Sequence, residues 1–401
     1  MVRSQLTMVR FVQILLLLWT AGLGTATREY LGREIGDGEW SQIKETLDCF
    51  SNKGKWMPYA EGVTYKREHL FCGTVYHKGH CSSTPSTMYD FHTGSACARP
   101  KKYLSVERLC EAMQGRGIAI VGDSLSGQFA STLMNEIHAD MDQSCRTCGY
   151  RCVGVYDINC TSVSMQYNKK RFRPDDVANH VHWKNFKILE SRNDFATLDG
   201  KGLPSGHKPG DTNFPWIKYM KGLSTGIILL NRGAHYMPDE EFISEINETL
   251  RFLADKMPDT VVIFRNTAPG HADFEKYFHA KPWDIPHNTT NDAHYDLTWK
   301  WEEFQGQNVK LKRLLDDHYP NYLYMDIDYM TRLRPDGHRD PLHYCIPGPM
   351  RGWTELFFQI LDMLGRPTMI DGLPEYNVTG VENVENLLRQ WRTQKSKSGV
   401  K

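Results

Sequence analysis

The sequence predicts an α/β fold, a three-layer sandwich around a mostly parallel central sheet, with a small disulfide-rich lobe on its N-terminal side. Three observations predict it. Short apolar runs stand at 118–121, 226–230, 260–264 and 322–325. Amphipathic segments lie between the later runs, at 239–256 and roughly 301–318. The stretch 49–102 is rich in Cys, Gly, His and Ser and shows no sustained helical period. Buried strands that alternate with helices give a parallel sheet covered on both faces.

The elements follow in order. Arg3 and Arg10 precede an uncharged run of 16 residues from Phe11 to Ala26, which ends in small residues. That pattern over 1–26 predicts a signal peptide, or else a short single-pass signal anchor. Residues 27–48 are polar and predict a stem. A loop-rich, disulfide-stapled lobe is expected over 49–102, a catalytic domain over 103–370 and a polar, basic tail over 371–401. In 239–256, Phe242, Ile246, Leu250 and Leu253 share one helical face. A second strand is expected near 152–156, among long insertions.

Lysine plus arginine equals aspartate plus glutamate, 48 of each, so no global basic field points to nucleic acid. Ten cysteines in an exported chain predict disulfides, and the spacing Cys145, Cys148, Cys152 and Cys160 is read the same way rather than as a zinc site. Sequons at Asn159, Asn247, Asn288 and Asn377 add to a secretory reading, in the Golgi lumen or outside the cell. Among the 16 histidines no H-E-x-x-H or comparable spacing occurs, so no metal is assigned. No glycine-rich phosphate loop follows a strand either.

The chemistry is expected at Gly122-Asp-Ser124-Leu-Ser126. A buried strand ends there, and Leu125, Phe129, Leu133 and Ile137 begin a helical period. Asp123 or Ser124 therefore starts the helix. A serine there is commonly an N-cap, its oxygen bonded to an orphan N–H. The alternative is a nucleophile at the positive end of a helix, which then needs a base. Asp340-Pro-Leu-His343 offers one: the carboxylate fixes the tautomer of an imidazole in its own turn. In a parallel sheet the loops gather at the strands' carboxyl edge, where Ser124 and His343 would meet.

Together, the strand-GDS-helix and the later D-x-x-H resemble the GDS-type (SGNH-like) esterase superfamily. More narrowly, the chain resembles the trichome-birefringence-like/PC-esterase family of polysaccharide O-acetyltransferases. The matching residues are GDSLSGQ from Gly122, Arg334-Pro-Asp-Gly-His338, Asp340-Pro-Leu-His-Tyr-Cys-Ile-Pro-Gly348 and Trp353. Leu230-Asn-Arg-Gly-Ala-His235-Tyr, Phe264-Arg-Asn-Thr-Ala-Pro-Gly-His271 and the segment from Cys49 to Trp56 also fit. Two departures stand out. Gly127-Gln128 replaces a frequent Arg-Asn, and Pro341 stands where many plant members carry a cysteine.

The resemblance implies acyl transfer with Ser124 as nucleophile, His343 as base and Asp340 behind it. Oxyanion donors would come from the N–H of Ser124, from Asn231 and from Gly154. Arg265, His235 and His271 would contact donor or acceptor. No bound cofactor is implied; an acetyl donor, acetyl-CoA among the options, would be a co-substrate, and a glycan or polysaccharide the acceptor. Two alternatives remain open at this point: a secreted carbohydrate or acyl esterase with the same residues, and a catalytically silent glycan-binding protein.

Overall fold

The computed structural model describes residues 27–30, 33–58, 81, 89–94, 97, 106–113, 115–137, 140–141, 153–159, 164–168, 185–194, 196–198, 216–217, 220, 225–232, 234–271, 273–286, 300–346, 348–364 and 393. The leader, the cysteines at 145, 148, 152 and 160, the sequons at 288 and 377 and nearly all of the C-terminal tail lie outside them.

Strands β1 (Thr27–Tyr30) and β2 (Arg33–Gly36) form an antiparallel hairpin that leads into α1 (Asp37–Asn52). A second hairpin pairs β3 (Lys55–Pro58) with β4 (Tyr89–His92). Helix α2 (Val106–Met113), β5 (Gly117–Gly122) and α3 (Ser124–Glu136) follow. Then come β6 (Asp140–Met141), β7 (Val153–Asn159), β8 (Ser164–Asn168) and β9 (Asn185–Arg192). The chain continues through β10 (Thr225–Leu230), α4 (Asp239–Lys256), β11 (Val261–Arg265) and α5 (Phe304–His318). It closes with β12 (Leu323–Met325), α6 (Asp328–Arg332) and α7 (Met350–Met363).

Eight strands make one sheet in the order β12-β11-β10-β5-β9-β7-β8-β6. The run from β12 to β9 is parallel, and β7 reverses direction against both β9 and β8. Alternate residues of the central strands face opposite ways, as the period of two requires. Ile118, Ile120, Ile227, Leu229, Val261 and Ile263 pack with α1, α2, α3 and α7. Ala119, Val121, Ile228, Leu230, Val262 and Phe264 pack with α4 and α5. Helices thus cover both faces, and the strands' near-continuous apolar composition follows from that double burial. The carboxyl ends of β5, β9, β10, β11 and β12 share one edge.

The stretch expected as a stem is instead part of the fold. In α1, Trp40, Ile43, Leu47 and Phe50 recur at three- and four-residue spacing and are buried in the main core, which offsets the helix's polar composition. Trp40 Nε1 donates to the carbonyl of Pro320 at 3.0 Å, and its ring stacks on Tyr30 at 5.0 Å.

The described parts of 49–102 join the same core. Trp56 packs beside Gly352, where an added Cβ would lie 2.9 Å from the indole, and donates to the carbonyl of Met330 at 2.7 Å. Disulfide Cys81–Cys345 ties this segment to the chain 264 residues later, and Cys49–Cys97 closes a second link. Among the described residues no helix is long and apolar enough to cross a membrane.

Trp40→Ala should therefore lower global stability by roughly 3 kcal/mol, the ordinary cost of deleting a buried tryptophan. Urea unfolding measures it. A stem that hung free of the core would show no change in midpoint.

Candidate active site

Strand β5 ends at Gly122, and the turn into α3 leaves no room there. A Cβ on Gly122 would run into Ser126 Oγ and lie 3.0 Å from the carbonyl oxygen of Asn231. Asp123 is the N-cap. Its Oδ1 accepts from the backbone N–H groups of Leu125 (2.9 Å) and Ser126 (3.3 Å). Its Oδ2 accepts from the N–H of Ala234 in the loop after β10 (3.0 Å). With the cap supplied by Asp123, the hydroxyl of Ser124 is released from that task.

That hydroxyl meets His343. Ser124 Oγ donates to His343 Nε2 at 2.7 Å, across 219 residues of sequence. His343 Nδ1 donates in turn to Asp340 Oδ1 (3.0 Å) and Oδ2 (2.9 Å). Both Ser124 and His343 are partly exposed, so a substrate can reach them.

The loop that carries Asp340 and His343 is built locally. Cys345 N–H donates to the carbonyl of Gly337 (2.8 Å) and Arg339 N–H to that of His343 (2.8 Å), so residues 337–345 close like a small hairpin. Inside it, Asp340 Oδ1 accepts from the N–H groups of Leu342 (3.0 Å) and His343 (2.8 Å), an Asx-type turn. Burial pushes the Asp340 carboxyl up, but the His343 imidazole and these two N–H groups outweigh it. The net result is a carboxyl held well below the ordinary range and ionised at neutral pH.

The remaining expected residues are placed as follows. The N–H of Ser124 sits at the first position of α3, at the positive end of the helix dipole. Asn231 is buried, and its Nδ2 donates to the carbonyls of Arg265 (3.0 Å) and Asn266 (3.3 Å). Gly154 stands in β7 opposite Glu190, and β9 separates that strand from β5. Its strand is thus not adjacent to β5, which leads into Ser124.

Arg265 is fully buried and cannot contact a substrate. Its Nη2 donates to Ser126 Oγ (3.1 Å) and lies 3.8 Å from Asp123 Oδ1, with the guanidinium over the Trp353 ring. Burial pulls its pKa down to about 10, against the pull of Asp123, so it stays cationic under the Ser124 turn. His235 is half-buried and pairs with the buried Asp194, Nε2 to Oδ2 at 3.3 Å. It follows Ala234, whose N–H Asp123 holds, so it borders the site.

His271 is buried too and serves the loop rather than its ligand. His338 Nδ1 donates to the carbonyl of Asp340 at 3.1 Å, so its Nε2 is the acceptor for His271 Nδ1–H at 2.6 Å. The backbone N–H of His271 holds the carbonyl of Pro341 (2.9 Å). Asp336, beside them, forms a two-pronged buried pair with Arg334 (2.9 and 3.0 Å). Of the sequons, Asn159 ends β7, while Asn247 in α4 accepts the Tyr319 hydroxyl at 2.5 Å. Among the described residues no cluster of His, Cys, Asp and Glu is placed to hold a metal ion.

Sequence reasoning missed Gln128, whose amide spans to Tyr344, and the His271–His338 pair. Each of the three stands within a matched block, but nothing in the sequence pairs it with its partner.

Both buried histidines are held below their ordinary pKa, His271 by burial and His338 by burial and then by His271. The carbonyl of Arg332 opposes this at His271, and Asp340 opposes it at His338. Each is neutral in the fold but takes a proton in the unfolded chain below about pH 6.5. Stability therefore falls as pH drops through that value, by about 1.4 kcal/mol per pH unit for each histidine, until the folded pKa is reached. His338→Gln, which keeps a donor for Asp340, should flatten the dependence by that amount. Urea midpoints at pH 7, 6 and 5 test it, and parallel wild-type and variant curves would refute it.

No family model matches the chain. It is 20% identical over 383 aligned positions to xyloglucan O-acetyltransferase 1 of Arabidopsis thaliana, an alignment covering 82% of this chain and 84% of that protein. It is likewise 20% identical over 371 positions to protein trichome birefringence-like 25 of the same plant, covering 77% and 75%. Along most of its length, then, the chain is similar at 20% identity to these two plant proteins.

Proposed function

We propose that the chain is a serine O-acyltransferase that moves acetyl groups onto hydroxyls of a polysaccharide, through an acetyl-serine intermediate. The observation that carries the reading is the 2.7 Å hydrogen bond from Ser124 Oγ to His343 Nε2, with Asp340 on the other ring nitrogen. The similarity to a xyloglucan O-acetyltransferase supports acetyl as the group moved and a polysaccharide as the acceptor.

In the first half-reaction Ser124 Oγ attacks the acetyl carbonyl of the donor, and its proton passes to His343 Nε2. The ionised Asp340 balances the imidazolium and fixes its tautomer. The helix-terminal N–H of Ser124 is aimed at the region where the oxyanion forms. Collapse expels the donor's leaving group, which takes the proton from His343. In the second half an acceptor hydroxyl attacks the acetyl-serine and gives its proton to the same nitrogen. Ser124 Oγ then leaves and recovers it, so atoms and charge balance over the cycle.

The location is part of the proposal. Cys49–Cys97 and Cys81–Cys345 support an oxidising compartment, hence the secretory lumen, Golgi or extracellular. A site at the carboxyl edge of parallel strands with helices on both sheet faces supports an SGNH-hydrolase-like architecture.

Ser124→Ala should lower turnover at least ~10³-fold and Asp340→Asn roughly 10²- to 10⁴-fold, since both remove a reacting or orienting group. The decisive measurement incubates wild-type protein with an activated acetyl ester and xyloglucan oligosaccharide, followed by mass spectrometry of protein and glycan. Acetyl on Ser124 and then on the glycan is expected. Free acetate without acetylated glycan would make the protein an esterase, and no adduct at Ser124 would overturn the mechanism.

A further inference from the structure

The serine and the histidine of the site lie on separate pieces of the chain, so something must set their separation. Gln128 does this geometrically. It is fully buried and stands four residues after Ser124, one helical turn on, about 6 Å along the same face of α3. Its Nε2 donates to the carbonyl of Tyr344 at 2.7 Å, and its Oε1 accepts the N–H of Tyr344 at 3.2 Å. The carboxamide thus occupies both backbone groups of the residue that directly follows His343. Two neighbouring positions of one helix face reach two consecutive residues of the loop: Ser124 to His343, and Gln128 to Tyr344.

Both partners of this clamp are rigid. Asp123 caps α3, and Thr132 Oγ1 donates to the carbonyl of Gln128 itself (2.9 Å). Tyr344 is pinned by its hydroxyl on the carbonyl of Pro269 (2.6 Å) and by ring contacts to His338 and Trp353. A carboxamide presents one donor and one acceptor in a plane that matches a backbone N–H and C=O, whatever the pH. Glutamate at neutral pH would turn an oxygen toward the Tyr344 carbonyl, and an apolar residue would leave two buried backbone groups unmet.

We propose that Gln128 is the positioning residue of the site: by holding the Tyr344 backbone it fixes His343 Nε2 at hydrogen-bond distance from Ser124. It touches no reacting atom and acts through the loop. The inference rests on the reading that Ser124 is a nucleophile activated by His343.

The test is the rate at which a fluorophosphonate labels Ser124 in the full chain, followed by mass spectrometry, alongside thermal melting. Wild type should label at Ser124. Gln128→Met fills the same space without either bond; it should melt cooperatively yet label at least about tenfold more slowly, as a displaced base would cause. Gln128→Glu gives a signature that a merely stabilising role lacks. Its protonated carboxyl reproduces one donor and one acceptor, and burial raises its pKa. Its labelling rate relative to wild type should therefore rise as pH falls from 8 to 6. This ratio also decides the matter if Gln128→Met does not fold. A folded Gln128→Met that labels within twofold of wild type, or a ratio for Gln128→Glu that stays flat with pH, would overturn the proposal. Absence of label at Ser124 in wild type would instead bring down the nucleophile reading on which it rests.

Discussion

The site depends on the carboxylate of Asp123. A helix N-terminus leaves several N–H groups without partners, and a side chain near the start of α3 has to supply acceptors. Asp123 does so at Leu125 and Ser126 and, with its second oxygen, also holds Ala234 in the loop after β10. Arg265, at the end of β11, lies beneath it. One buried residue thus ties together the carboxyl ends of three neighbouring strands. Were the serine hydroxyl the cap, its oxygen would be occupied by a backbone N–H and turned away from His343. A carboxylate in the preceding position removes that competition.

The buried polar groups around this point share a task. Burying charges and polar atoms contributes little net stability compared with apolar packing, and breaking one partner of such a set is costly. Their geometric effect is larger. Arg265 braces Ser126 and Asp123 from below, His338 holds the carbonyl of Asp340, and His271 holds both His338 and the carbonyl of Pro341. Each contact engages a turn or loop that apolar packing alone would leave free to slide. Neutral histidines suit this interior, because each offers one donor and one acceptor without bringing a charge.

Much of this was legible in the sequence, for a physical reason: the readable parts are local. The apolar runs that became β5, β10, β11 and β12 are buried on both faces and need no context to be seen. Asp340 and His343 are read together because their pairing closes within one turn. β9 was hidden, since its apolar residues Phe186, Ile188 and Leu189 are interrupted by Lys187 and followed by the charged Glu190. Helix α1 was hidden by its polar outer face, although Trp40, Ile43, Leu47 and Phe50 carried the period. Asn231, Arg265 and His271 are all buried and bonded to other parts of the fold. A sequence shows that an amide or guanidinium is present, not which carbonyls consume it. The link from Cys81 to Cys345 was equally unreadable, because ten cysteines permit many pairings.

This division between local and distant contacts explains how a site split across the chain can be accurate. The loop 337–345 sets its own shape through backbone bonds and the Asp340 turn, so the orientation of His343 to Asp340 is set by contacts within the loop. The Ser124 turn is likewise shaped by its own cap. What remains is the placement of one rigid piece against another, and a few contacts suffice for that. The Gln128 amide on Tyr344, the Tyr344 hydroxyl on Pro269 and the disulfide from Cys81 to Cys345 hold the loop from three sides. Tolerance elsewhere follows. Sequence change elsewhere can leave the serine–histidine spacing intact so long as the two local shapes and the few contacts between them persist.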